Sequence, residues 1–120
     1  MRFDENLPIY LQIMDYIKLK IIKKELVEGS KLPSVRDLST ELKVNPNTIQ
    51  RSYQELEREG LVYSQRGMGT FVSQDRDVLI KLRDNTASNF VNKFIGDMKS
   101  LGYEIEDIIK IINQWEGDLD

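Results

Sequence analysis

Residues 32–72 read LPSVRDLSTELKVNPNTIQRSYQELEREGLVYSQRGMGTFV. Ser34 suits a helix N-cap, and it is followed by an acid at the spacing of a capping box. Asn45 with Pro46 directly after it is a second helix start, because proline is favoured at the first helical position. Only Lys43 and the residue after it separate the two helical patterns. The stretch therefore predicts two short helices that are joined by a tight turn.

The end of the stretch predicts a β-hairpin. Two runs of strand-forming residues, 61–64 and 70–73, flank the turn 65–69. Gly67 and Gly69 in this turn can supply the positive φ angles that tight hairpins require. Two helices at a tight turn followed by such a hairpin form a winged helix-turn-helix.

Helical patterns occupy both sides of this stretch. Pro8 opens a first helix in which isoleucine recurs every four residues: Ile9, Ile13, Ile17 and Ile21. The polar residues 74–77 predict a boundary between an N-terminal and a C-terminal region of the chain. Two further helices follow, one that ends near Gly102 and one with apolar residues from Ile105 to Trp115. These two helices cannot bury both apolar faces alone, so they need either the first domain or a second copy of the chain.

The composition excludes several classes of function. The chain of 120 residues contains no cysteine and no histidine, which excludes disulfides, typical zinc sites and Ser-His triads. We therefore expect no metal, no cofactor and no enzyme activity. No signal peptide is evident and no apolar run approaches the roughly 20 residues that span a bilayer, so a cytoplasmic protein is expected.

The charge is unevenly distributed. The net charge is −3, which is unfavourable for a protein that binds DNA. Residues 1–75 contain 11 basic and 11 acidic residues, whereas residues 76–120 contain 6 basic and 9 acidic residues. The excess acid therefore belongs to the C-terminal part.

The third helix presents a polar face that suits DNA bases. If Ile49 faces the core, Gln50 lies on the flank and the opposite face carries Asn47, Arg51, Gln54 and Arg58. No acid occurs from Asn45 to Gln54, and three follow from Glu55 onward. Amides can bond to adenine and arginine to guanine or phosphate. The alternative is an ordinary solvated helix face, where these residues are also common.

Two arginines outside this helix are further candidates for DNA contacts. Arg36 lies in the first turn of the second helix, where the helix dipole disfavours a cation unless an anion such as phosphate binds there. The alternative is an ion pair with Asp37 or Glu41. Arg66 and Gly67 at the hairpin tip would bring a cation and a bare backbone to a groove or a phosphate, although such a turn is also found in proteins with no ligand there.

Residues 8–72 resemble the N-terminal domain of the GntR family of bacterial transcription regulators. Three segments match the family pattern: Pro8–Ile13, Lys31–Leu38 and Gly67–Val72. Residues 44–50 and 53–61, which contain the third helix, are most similar to the YtrA subfamily.

The resemblance implies a homodimeric repressor that binds a near-palindromic operator. By position, family members contact DNA through Arg36, the start of the third helix and the wing tip, which here correspond to Arg36, Asn45, Asn47, Thr48, Gln50, Arg66 and Gly67. Arg51 and Gln54 are added from the helical face alone. Many relatives outside the subfamily have arginine in place of Pro46 and Gln50, and many have glycine in place of Lys43. If the turn needs a positive φ, Lys43 is strained by roughly 1 kcal/mol.

The resemblance also implies that residues 76–120 are a two-helix region used for dimerisation. The residues expected at that interface are Phe90, Phe94, Met98, Ile105, Ile109, Ile112 and Trp115. The expected fold is thus mainly α with a small β-hairpin: a winged helix-turn-helix in residues 1–75 and a C-terminal two-helix dimerisation hairpin. No residue identifies an effector molecule. Two other hypotheses are a protein-interaction module, which would use the same apolar faces, and an enzyme, for which no catalytic constellation is present.

Overall fold

The protein is described by a computed structural model over residues 1–116. Its elements, in chain order, are α1 (Ile9–Ile22), α2 (Val35–Leu42), α3 (Pro46–Arg58), β1 (Val62–Gln65), β2 (Gly69–Val72), α4 (Arg76–Ser100) and α5 (Ile105–Gln114). The predicted fold class, mainly α with one small hairpin, is confirmed. Within the described residues, no helix is both long and apolar enough to span a bilayer.

The core of the N-terminal part forms around α1. The predicted four-residue spacing is confirmed for its inner positions, because Ile13, Ile17 and Ile21 are all buried. These side chains pack in one cluster with buried residues of α2, α3, the hairpin and the start of α4, which are Leu38, Ile49, Tyr53, Leu56, Val62, Val72 and Leu82. Burial of this apolar surface is the main force that fixes α3 against α1.

Local capping defines the helix-turn-helix. Ser34 Oγ accepts a 3.0 Å hydrogen bond from the backbone N–H of Asp37, and Asn45 Oδ1 accepts one of 2.8 Å from the N–H of Asn47. Between the two helices, Lys43 adopts the left-handed conformation with φ 57° and ψ 49°. The predicted caps are therefore confirmed, and the turn does require the positive φ that makes Lys43 strained.

Both strands of the hairpin are shifted by one residue towards the turn, relative to the limits that the sequence predicts. The strands pair antiparallel from Val62 opposite Val72 to Gln65 opposite Gly69, which leaves a loop of three residues. The predicted strand limits, 61–64 and 70–73, are wrong by one residue because the ladder continues to Gln65. Residue 31 joins the same sheet through a single bridge to Phe71.

α4 begins within the segment that the sequence marks as a boundary. Asp75 Oδ1 accepts hydrogen bonds from the N–H groups of Asp77 and Val78, at 3.0 and 3.4 Å. Asp75 therefore acts as an N-cap. The helix starts at Arg76 because this cap is followed within one turn by the apolar side chains of Val78 and Leu79, which pack on the core.

The chain forms two compact units, and the boundary between them lies inside α4, between Arg83 and Asp84. The N-terminal unit thus contains the first turns of α4. The division into functional regions at residues 75 and 76 coincides with the start of α4 and stays a prediction. Residues 117–120 of the predicted C-terminal region lie outside the described residues.

Candidate nucleic-acid interface

The outer face of α3 carries the predicted base-reading side chains. Asn45, Asn47, Gln50 and Gln54 are exposed and Thr48 is half-buried, whereas Ile49 and Leu56 on the opposite face are fully buried. Within residues 1–116, the side-chain amides of Asn47, Gln50 and Gln54 make no hydrogen bond to the protein. Their donors and acceptors are therefore available to a ligand. Asn45 differs, because its Oδ1 atom caps the helix.

The acids at the end of α3 are all paired within the protein. Glu59 pairs with Lys18 of α1 at 3.0 Å, and Glu55 pairs with Arg58 at 3.2 Å. Glu57 accepts hydrogen bonds from both the N–H and the hydroxyl of Ser64, which lies in β1. The change from an acid-free to an acid-rich segment along α3 thus coincides with a change from a free surface to one that contacts α1 and the hairpin.

Arg36 is exposed on the first turn of α2. Among the ion pairs of the described chain, none includes Arg36, so the pairing with Asp37 or Glu41 that the sequence left open does not form. A cation here lies near the positive end of the helix dipole, where its charge is unfavourable without an anion. The position is suited to a phosphate that both Arg36 and the helix start could bind.

The wing tip is built around Gly67. Arg66 and Gly67 are the central residues of a turn that is closed by a 2.9 Å hydrogen bond from Met68 N–H to the Gln65 carbonyl. Gly67 has φ +77°, a conformation that side chains with a β-carbon rarely adopt. Arg66 and Gly67 are exposed, so the tip presents a cation beside bare backbone.

Lys31 is a candidate DNA-contacting residue that the sequence pattern did not single out. It is exposed, and its side chain covers the wing so closely that a β-carbon on Gly69 would lie 2.6 Å from Lys31 Cε. A groove between α2 and the wing is lined by Lys31, Ser34 and Gly67, among others. The signal in the sequence was a cation three residues before a helix cap, where an anion is favoured.

Arg51 contacts an aromatic ring that the sequence did not single out. Its guanidinium carbon lies 3.7 Å from the centre of the Tyr10 ring, which belongs to the first turn of α1. A shallow depression brings these two residues together with Asn47 and Thr48. The structure therefore joins part of the predicted α3 surface to the start of α1.

Tyr53 belongs to the core, as predicted. It is 5% exposed, and its hydroxyl donates a 2.7 Å hydrogen bond to the Pro33 carbonyl. Burial, together with the negative charge of Glu41, raises the pKa of Tyr53 well above its ordinary value. The phenol is thus a neutral structural group at every physiological pH.

The residues predicted for dimerisation are largely exposed in the single chain. Phe90 and Trp115 are each 62% exposed, and Phe94, Ile105, Ile109 and Ile112 are also exposed, whereas Met98 is half-buried. Exposed apolar side chains in such number are unusual on a surface that faces only water. Within the described part of the chain, no group of three or more potential ligand residues is placed to hold a metal ion.

Two curated bacterial proteins are similar to this chain over most of their length. The HTH-type transcriptional regulator YhcF of Bacillus subtilis is 43% identical over 109 residues, which is 91% of this chain and 90% of that protein. The HTH-type transcriptional repressor YtrA of the same organism is 35% identical over 113 residues, or 93% of this chain and 87% of YtrA. The resemblance to the YtrA subfamily is thereby confirmed.

Solved structures agree with these relatives. A GntR family transcriptional regulator from Listeria monocytogenes superposes with a TM-score of 0.86 at 40% identity, and the match covers 95% of this chain and all of that one. The DNA-binding domain of AraR, solved in complex with its operator ORR3, gives a TM-score of 0.56 at 30% identity and covers 61% of this chain and 88% of that one.

The family model that describes the gntR family of bacterial regulatory proteins matches residues 9–72. The matched segment runs from the first residue of α1 to the last residue of β2, so it contains the whole helix-turn-helix and the wing. Because it also covers more than half of the chain, this protein belongs to the gntR family, whose members are DNA-binding transcription regulators and not enzymes.

Proposed function

We propose that this protein is a homodimeric repressor that binds a near-palindromic operator. In this proposal α3 enters the major groove, and the wing contacts the flanking groove or the backbone. A regulator of bacterial transcription works where the chromosome is, so the proposal includes a cytoplasmic location.

The observation that carries the proposal is the contrast between the two ends of α3. The first half is exposed, lacks acids and has unbonded amide groups, whereas the acids of the second half are bound by Lys18, Arg58 and Ser64. A recognition helix enters the groove with its N-terminal residues and leaves its C-terminal end outside. The polarity of α3 matches this arrangement.

The proposed contacts divide into two kinds. Asn47, Gln50 and Gln54 are assigned to base edges, together with Asn45 and Thr48 at the helix start, because their amides and hydroxyl can donate and accept in the major groove. Arg36, Arg51, Arg66 and the Gly67 backbone are assigned to phosphates or the flanking groove, which fix position but carry little sequence information. The AraR domain, which shares this fold, was solved on its operator.

Dimerisation is assigned to α4 and α5. Their exposed apolar side chains, Phe90, Phe94, Ile105, Ile109, Ile112 and Trp115, would be covered by a second copy of the chain, with Met98 at the edge. A two-fold dimer would present two reading helices, and operator symmetry would then mirror the protein symmetry. YtrA, which is a repressor by name, supports repression as the outcome.

The test begins with DNA that the wild-type protein selects from a random duplex pool. We expect the selected sequence to contain inverted half-sites about one helical turn apart, or a multiple of it. Arg36→Ala should weaken binding to every duplex by a similar factor, while Asn47→Ala or Gln50→Ala should relax the preference at particular base pairs. Lys99→Ala, which removes an exposed cation near the end of α4, is the matched control and should bind normally.

The salt dependence and the oligomeric state complete the test. Binding should fall with a log–log slope of several units as salt rises, because phosphate contacts release counterions. A footprint that none of the three variants changes would overturn the assignment of the α2 and α3 surface to DNA. A monomer with no affinity for DNA even at low salt would instead favour a protein-interaction module.

A further inference from the structure

We propose that Tyr10 is a positioning residue for DNA binding, because its ring holds the Arg51 guanidinium where it can contact a phosphate beside the major groove. The inference rests on the proposed function and adds to it a residue of α1, outside the helix-turn-helix. Its basis is the contact between α1 and α3 at the edge of the reading surface.

The geometry of the pair is that of a stacked cation. Arg51 Cζ lies 3.7 Å from the centre of the Tyr10 ring, a distance at which the planar guanidinium can lie flat on the ring. Stacking uses the face of the guanidinium and leaves its N–H groups, which point outward in the plane, free to donate. Arg51 is exposed and joins none of the ion pairs found within residues 1–116. Its charge is therefore oriented by the protein but not neutralised by it.

Tyr10 is itself held by α3. The carbonyl oxygen of Tyr10 accepts a 2.9 Å hydrogen bond from the hydroxyl of Ser52, which is fully buried, and the same hydroxyl is 3.1 Å from the Thr48 carbonyl oxygen. The Tyr10 side chain is half-buried against the core. The ring is thus fixed relative to the helix that carries Arg51, so the pair is organised before DNA arrives. Such organisation reduces the conformational entropy that is lost when DNA binds.

The surroundings favour a phosphate over a base as the partner of Arg51. The stack pulls the side chain from the outer face of α3 towards the first turn of α1, at the margin of the amide-bearing surface. The depression at this margin contains no acid; it is lined by Pro8, Ile9, Tyr10, Asn47, Thr48 and Arg51. The first turn of α1 also has no acidic side chain. An anion that flanks the groove is the ligand of matching charge.

The experiment measures affinity for the duplex that wild-type protein selects from a random pool. Arg51→Ala should weaken binding about tenfold or more and lower the log–log salt slope by about 1, as expected for a lost phosphate contact. Tyr10→Leu, which keeps an apolar side chain but removes the ring, should weaken binding about two- to fivefold with the slope unchanged. Tyr10→Phe keeps the ring and should bind like wild type.

The double variant separates positioning from a general effect on the fold. If Tyr10 acts through Arg51, Tyr10→Leu should cause no further loss in an Arg51→Ala background. An equal loss in both backgrounds would overturn the inference. Arg51→Lys provides a second check that does not alter the core, because it keeps the charge and loses the planar stack. It should bind more weakly than wild type, and wild-type affinity for this variant would also overturn the inference.

The failure of this inference is distinguishable from failure of the proposed function. If Arg36→Ala and Gln50→Ala impair binding while Arg51→Ala does not, the regulator binds DNA as proposed and the role given to Tyr10 is wrong. If the wild-type protein selects no duplex at all, the proposed function is wrong.

Discussion

The hydroxyl of Tyr53, in the middle of α3, donates a 2.7 Å hydrogen bond to the carbonyl oxygen of Pro33, which directly precedes the cap of α2. The bond joins the reading helix to the start of the helix that carries Arg36. It therefore helps to fix the angle at which two of the proposed DNA-contacting elements meet.

Removal of this hydroxyl should lower stability modestly. Tyr53→Phe keeps the buried ring but loses the bond, and we expect the free energy of unfolding to fall by about 1 kcal/mol. Urea denaturation at fixed protein concentration measures the change. Tyr63→Phe is the matched control: among residues 1–116 its hydroxyl accepts a hydrogen bond only from the exposed Gln74 side chain, so the loss should be smaller. Equal losses in both variants would show that the buried hydrogen bond to Pro33 contributes no more to stability than the exposed one of Tyr63.

Tyr53 also predicts how stability depends on alkaline pH. Burial raises its pKa in the folded state, whereas in the unfolded chain the phenol titrates near its ordinary value of about 10. Above that pH the unfolded state loses a proton that the folded state keeps, so the free energy of unfolding falls as pH rises. The slope can reach about 1.4 kcal/mol per pH unit from this one group.

The measurement compares wild type with Tyr53→Phe between about pH 9 and about pH 11.5, from roughly one unit below that ordinary pKa to roughly one and a half units above it. The wild-type stability should fall more steeply, and the other tyrosines cancel in the difference. Parallel curves for the two proteins would show that Tyr53 ionises as easily when folded as when unfolded.

The strained turn of the helix-turn-helix offers a stabilising substitution. Lys43 has φ 57°, which costs a residue with a β-carbon roughly 1–2 kcal/mol. Lys43→Gly should therefore raise the free energy of unfolding by about 0.5–1 kcal/mol, after the greater flexibility of glycine in the unfolded chain is subtracted. Lys43→Ala keeps the β-carbon and removes only the charge, so it should bring no such gain. A Lys43→Gly protein no more stable than Lys43→Ala would argue against strain at this position.

The sequence predicts best those features that depend on neighbours in the chain. Ser34, Asn45 and Pro46 define two helix starts with local signals, and the structure confirms each of them. The core position of Tyr53 follows from its spacing to Ile49. The strand limits were wrong by one residue because the pairing that sets them occurs across the hairpin.

Features that depend on distant residues were not predictable in the same way. The stack of Arg51 on Tyr10 joins residues 41 positions apart, and nothing in the third-helix pattern indicates it. The sequence places Asp75 in a polar boundary, whereas in the structure it caps α4, a helix whose early residue Leu82 packs into a core built mostly from earlier parts of the chain. The exposure of the predicted site residues is visible in the structure, while their individual roles stay predictions.

Two glycine substitutions in the wing should differ in how much they lower the free energy of unfolding. Gly69 has φ +117°, and a β-carbon there would displace the Lys31 side chain, whereas Gly67 has φ +77° with open space around it. Gly69→Ala should lower the free energy of unfolding by about 1–3 kcal/mol, and Gly67→Ala by about 1 kcal/mol. Thermal and urea denaturation of the two variants provide the comparison. A larger loss at Gly67 would contradict the assigned geometry of the wing.

The exposed apolar side chains of α4 and α5 lead to a prediction about assembly. In a two-fold dimer each substitution acts twice, and burial of one phenylalanine contributes about 1.5–3 kcal/mol. Phe90→Asp should therefore raise the dimer dissociation constant about 100-fold or more, which sedimentation velocity would record as a shift from dimer to monomer. The neighbouring Asn89→Asp adds the same charge at an exposed polar position of α4 and should remain dimeric.

The same pair of variants tests whether assembly matters for DNA binding. A Phe90→Asp monomer keeps the whole N-terminal unit, so it should still bind a single half-site weakly, but it should lose most of the affinity for the paired site because the second reading helix is no longer linked to the first. Asn89→Asp should retain affinity for the paired site. If Phe90→Asp remained dimeric and bound the paired site normally, the partner surface would have to lie elsewhere than on the exposed face that contains Phe90.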